Sequence, residues 1–143
     1  MQSLLIDTVV ALPGESRSEG LVMLADDAFY VCKGSFIYHV TASGEMTKYA
    51  GSKTGPVEGH RLEAMCRFVT GLCLVDKKKL FFADSLEYLI RLVEGDQLVT
   101  YAGDGKLACK DGPRKTASFG FPEYIAELNG YLYISDYHNA VRR

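Results

Sequence analysis

The chain has 143 residues, 48% of them hydrophobic and 24% charged, and a net charge of −2. That is enough for one globular core, with no basic field to draw the protein to nucleic acid or anionic lipid. No apolar run approaches the roughly 18–20 residues of a membrane helix, and the opening MQSLLIDTVVALPG has no basic start and is interrupted by Asp7, so neither a span nor a secretory signal is expected.

Taken in order, the chain reads as short apolar runs of four to six residues separated by polar turns, the pattern of β-strands joined as antiparallel meanders. Residues 7–14, DTVVALPG, form the first apolar segment. Residues 21–25, 29–32, 35–40 and 45–49 predict four strands, here termed a to d. A loop of about 18 residues, 51–68, leads to a second set at 71–75, 80–83, 88–93 and 97–101. A third set begins at 124–128 and 131–135; residues 137–143 start its c strand, and no d strand follows. Each a–b connection carries a turn signal: Asp26-Asp27, Asp76-Lys77 and Asn129-Gly130. The last is the strongest hairpin dipeptide, because both central positions of a type I′ turn need φ > 0.

The sets are copies of one unit. Tyr49-Ala50-Gly51 returns as Tyr101-Ala102-Gly103, and Leu80-Phe81-Phe82-Ala83-Asp84 returns as Leu132-Tyr133-Ile134-Ser135-Asp136, both 52 positions on. Val57-Glu58-Gly59 is answered by Lys110-Asp111-Gly112, and Ala64 and Phe68 by Ala117 and Phe121, 53 positions on. Residues 7–14 match 96–103, the outer strand of the second unit, yet precede the first inner strand. Four antiparallel strands per 40–50 residues is the mark of a β-propeller blade. The expected fold is therefore all-β, one unit over 1–143 with blades at 20–50, 51–103 and 104–143. The third blade is incomplete, and residues 5–14 form an exchanged outer strand.

The second and third units resemble NHL repeats. Ala102-Gly103-Asp104-Gly105, Asp111-Gly112, Ala117-Ser118-Phe119, Phe121-Pro122, Asn129-Gly130, Leu132-Tyr133-Ile134-Ser135-Asp136 and His138-Asn139-Ala140-Val141-Arg142 fall in that family's order. The likeness covers about 51–143 well and 5–50 loosely; Cys32-Lys33 stands where the Ala-Asp ending belongs. It implies a propeller with turn glycines and structural aspartates at Asp84 and Asp136. Three blades are too few for a closed ring, which carries four to eight. Either the chain is a piece of a longer one or copies assemble; two chains give six blades, and a homodimer with exchanged strands is the expectation. Its interface would include Ile6, Val9, Val10 and Leu12 from one copy and Tyr133 and Val141 from the other.

Candidate chemistry is sparse. Gly51-Ser52-Lys53-Thr54 lacks the glycine spacing of a phosphate loop, and Lys77-Lys78-Lys79 reads as a solvated hairpin. The cysteines, Cys32, Cys66, Cys73 and Cys109, form no Cys-x-x-Cys pair, and His39, His60 and His138 have no ligand-like spacing. Neither a metal nor any other cofactor is expected; Cys32 and Cys73 read as buried thiols in a reducing, cytoplasmic setting. Arg61, Arg114 and Tyr124 lie where a loop face would present them to a ligand. The reading is a non-catalytic binding or scaffold module for protein or peptide partners, without membrane or nucleic-acid contact. The alternative is a propeller enzyme of lyase or hydrolase type with a channel-bound metal.

Overall fold

The computed structural model describes residues 10–12, 17–55, 57–137 and 140–143. It is all-β, built from three antiparallel sheets that stack as propeller blades. The first contains β1 (Ser18–Met23), β2 (Phe29–Lys33), β3 (Phe36–Val40) and β4 (Met46–Ala50) in sequence order. The second adds a short outer strand, β5 (Gly59–His60), to β6 (Val69–Val75), β7 (Lys79–Asp84), β8 (Leu89–Glu94) and β9 (Gln97–Ala102), in the order β5-β9-β8-β7-β6. The third contains β10 (Pro122–Leu128), β11 (Tyr131–Asp136) and β12 (Ala140–Arg142).

Alternation along the strands decides which sheets touch. Cys32, Ile37 and Ala50 of the first sheet pack against Leu72, Leu80, Phe82, Val93 and Leu98 of the second, joined by Ala64 and Cys66 from the connecting loop. The other face of the second sheet presents Cys73, Phe81, Ala83, Ile90 and Leu92 to Ile125 and Ile134 of the third. The middle sheet is thus buried on both faces. Among the described residues the third is covered on one only: β10 buries Pro122 and Ile125 and exposes its other five residues.

The three a–b connections have the predicted turn chemistry. Both central residues have positive φ in each: 59° and 59° at Asp26 and Asp27, 50° and 56° at Asp76 and Lys77, and 54° and 81° at Asn129 and Gly130. The inner strands begin two or three residues before their apolar runs, because each contains a bulge near its start: at Ser18/Gly20, Thr70/Leu72 and Pro122/Tyr124. Tyr88 does not lie in a strand. It takes φ 58° to end a one-turn 3₁₀ helix, Ser85–Glu87, and its ring meets Phe121 edge-on.

All four cysteines are free, with Cys32, Cys66 and Cys73 buried and Cys109 exposed. Burial pushes the Cys32 and Cys66 thiols up to about 12 and raises that of Cys73. The thiolate is the reactive form, so the folded protein is expected to present one fast-reacting thiol to Ellman's reagent at neutral pH, and four once unfolded. A second fast thiol in the folded chain would contradict this packing. No helix among the described residues is long and apolar enough to cross a membrane.

Candidate functional site

Two loops, 51–68 and 103–121, carry the chain from one outer strand to the next inner strand, and each is fastened in the same way. The Asp84 carboxylate accepts the backbone N–H groups of Arg67 and Phe68 at 3.0 Å, and Asp136 accepts those of Gly120 and Phe121. Each carboxylate also pairs with an arginine of its c strand, Asp84 with Arg91 and Asp136 with Arg142, both at 3.3 Å. The arginines reach on to loop carbonyls: Arg91 to Val57 and Met65, Arg142 to Lys110 and Ser118. Arg91 and Asp84 are fully buried. Burial raises the Asp84 carboxyl above its ordinary value, against the pull of the Phe68 N–H, the Arg91 guanidinium and the Arg67 N–H. These two aspartates are committed to holding loops.

The first sheet replaces this clamp. Pairing aligns Lys33 with Asp84 and Tyr38 with Arg91, and Lys33 Nζ donates instead to the Leu12 carbonyl.

Where the inner strands begin, the sheets come closest. A Cβ on Gly71 would lie 2.3 Å from the carbonyl oxygen of Glu123, and one on Gly20 would lie 3.3 Å from the Gly71 backbone. Flanking pairs bracket two residues at each bulge, Glu19-Gly20, Thr70-Gly71 and Glu123-Tyr124, so Gly20, Gly71 and Tyr124 are equivalent along the repeat and Glu19, Thr70 and Glu123 precede them. Thr70 Oγ1 lies 2.8 Å from Ser85 Oγ, and both hydroxyls donate to the Pro122 carbonyl. Tyr124 breaks the repeat, standing 61% exposed where its counterparts are glycines.

Around this point lies a pocket of about 440 Å³. It is lined by the aromatic residues Phe68, Phe121, Tyr124 and Tyr137, by Leu86, by Thr70 and Ser85, and by Glu19 and Glu123. Every charged side chain among these is acidic. Phe121 stacks edge-on with Tyr137 at 5.9 Å, which fixes the aromatic wall.

Of the residues singled out from sequence, Tyr124 lines this pocket. Arg61 stacks on Tyr49 and Arg114 on Tyr101, with centroid distances of 4.6 and 4.2 Å. These are equivalent contacts in successive blades. Tyr133 and Val141 lie on the uncovered face of the third sheet, Val141 being 74% exposed. Val10 and Leu12 pack against Phe29, Val31 and Val40; Ile6, Val9 and His138 fall outside the described residues. His39 packs edge-on against Tyr30, and His60 pairs with Gln97 at the outer edge of the second sheet. No group of three or more histidine, cysteine or acidic side chains that could hold a metal occurs among the described residues. Glu19 and Glu123 were not singled out from sequence; their shared place at the bulge of an inner strand is visible only once the register is known.

No protein-family model matches the chain, and no curated protein matches its sequence. Solved structures do. A structural-genomics protein of unknown function from Bacteroides thetaiotaomicron VPI-5482 superposes with a TM-score of 0.82 at 22% identity, over 92% of this chain and 36% of that one. An auxiliary nutrient binding protein from Bacteroides ovatus ATCC 8483 gives 0.68 at 21% identity, over 82% and 35%. Virginiamycin B lyase from Staphylococcus aureus gives 0.58 at 12% identity, over 93% and 43%. The likeness is one of fold, and the chain spans between a third and a half of the length of each.

Proposed function

We propose that the chain is a non-catalytic, NHL-like β-propeller binding module that receives a basic peptide segment in the pocket between Glu19 and Glu123. The observation that carries this reading is the composition of the pocket lining, four aromatic and two acidic residues and, among the described residues, no cationic one. Ammonium and guanidinium groups are attracted to aromatic faces by about 0.5–2 kcal/mol, and carboxylates at the rim add to that attraction. The clamps of Asp84 and Asp136 fall on the aspartate and arginine of the NHL pattern, which supports that kinship. The nutrient-binding neighbour is compatible with a binding role.

Fluorescence anisotropy with a labelled lysine-rich dodecapeptide and its glutamate-rich counterpart tests the reading. The basic peptide is expected to bind, and Tyr124→Ala to weaken it about tenfold. Equal binding of both peptides, or an unchanged affinity in Tyr124→Ala, would overturn it.

A further inference from the structure

In the second sheet, β9 lies between two strands: β8 along one edge, and β5, whose Gly59 and His60 pair with Leu98 and Gln97, along the other. The third unit has counterparts of both flanking elements. Gly112 and Pro113 stand 53 positions after Gly59 and His60 of β5, and β12 corresponds to β8, since Arg142 pairs with Ile134 as Arg91 pairs with Phe82. Between them runs an open groove of about 700 Å³, lined by Cys109, Asp111 and Gly112 on one side and by Ala140, Val141, Arg142 and Arg143 on the other.

The sequence offers a counterpart of β9. Residues 7–14 match 96–103, so Val10 and Leu12 are the counterparts of Val99 and Tyr101. Val99 and Tyr101 pack into the cluster that joins the second sheet to Ile134 of the third. Val10 and Leu12 pack against Phe29, Val31 and Val40 of the first. Val31 and Ile134 are equivalent positions, so Val10 and Leu12 sit against the first sheet as Val99 and Tyr101 of an outer strand sit against the blade that follows it. The sheet to which residues 7–14 would belong must precede the first one.

We propose that the groove beside β12 takes residues 7–14 of a second copy of this chain as its fourth strand, and that two copies close one six-bladed ring by exchanging these segments. Each exchange adds main-chain hydrogen bonds along the free edge of β12. It also covers the apolar face on which Leu128 is 59% and Val141 74% exposed. The two-fold arrangement is self-complementary and closed, so association stops at two. Carrying the β8–β9 register over to β12 puts Arg143 opposite Val10 of the second copy, as Leu92 is opposite Val99.

Light scattering after gel filtration should give a mass twice 15.8 kDa. In a Cys109→Ser background, Val10→Cys with Arg143→Cys should oxidise to a covalent dimer, seen on a non-reducing gel and reversed by reductant, while either single variant should not. A monodisperse mass of 15.8 kDa overturns the proposal. So does a dimer whose paired cysteines remain unlinked, which would place the contact elsewhere.

Discussion

Replacing Arg91 by methionine is expected to lower the unfolding free energy by about 3–5 kcal/mol, the usual consequence of removing one partner from a buried ion pair. Arg91 is fully buried, pairs with Asp84 and donates to the Val57 and Met65 carbonyls. Methionine fills much of the volume but leaves those carbonyls without their donor. It also leaves the carboxylate with only the N–H groups of Arg67 and Phe68. The loss should depend on pH. Burial already raises the Asp84 carboxyl above its ordinary 3.8, and the Arg91 guanidinium is one of the groups restraining that rise. Without it the folded-state value climbs further. A carboxyl raised in the folded state contributes stability that is fully present below its unfolded value and is lost as pH rises through the folded one. Arg91→Met should therefore be closer to wild type at pH 3.5 than at pH 7. Asp84→Asn alone should also be severe, since it leaves the guanidinium buried without a counter-charge. The double variant should recover part of the sum, because the two losses share one interaction. Urea titrations of the four proteins at both pH values and one protein concentration decide it. A loss in Arg91→Met that is under 1 kcal/mol or independent of pH would mean that the clamp does not hold the 51–68 loop.

That clamp shows where sequence reading reaches and where it stops. The sheets were legible because their signals are local: alternation in Leu80-Phe81-Phe82-Ala83, double positive-φ turns at Asp76-Lys77 and Asn129-Gly130, and a unit that repeats at a constant offset. Asp84 and Asp136 were legible as turn residues through the repeat. Arg91 was not, because an arginine within Leu-Ile-Arg-Leu-Val reads as a side chain turned to solvent, whereas here two loop carbonyls and a carboxylate take it inward. The first turn of each inner strand was lost for a related reason. Thr70 and Glu123 are polar residues beside a bulge, and a bulge is defined by the partner strand, not by the run that contains it. The pocket inherits this difficulty. Tyr124 stood out as an aromatic near a loop, but Glu19 and Glu123 become a pair only when three sheets are placed side by side.

The same junction carries the second large effect. Gly71→Ala is expected to destabilise the protein by about 3 kcal/mol, the upper part of the range for inserting a methyl group into a packed interior. The added Cβ would lie 2.3 Å from the Glu123 carbonyl oxygen and 2.7 Å from the Tyr124 Cα. Both are backbone atoms, so no rotamer change relieves the clash, and β10 must move away from β6. The alternative outcome has the opposite sign. If the sheets had room, alanine in a strand would stabilise by about 0.4–1 kcal/mol through the entropy of the unfolded chain. Gly20→Ala provides the internal comparison. Its nearest neighbours would be the Cys32 Sγ at 3.2 Å and the Gly71 backbone at 3.3 Å, a gap that a shift of a few tenths of an ångström relieves. It should lose no more than about 1 kcal/mol. Moving β10 also pulls the Pro122 carbonyl from the hydroxyls of Thr70 and Ser85, two residues that line the aromatic pocket. Gly71→Ala should therefore weaken the lysine-rich peptide under conditions where the protein remains folded, and Gly20→Ala should leave its affinity unchanged. A neutral or stabilising Gly71→Ala would show that β6 and β10 do not meet at the backbone, and the pocket geometry built on that approach would fall with it.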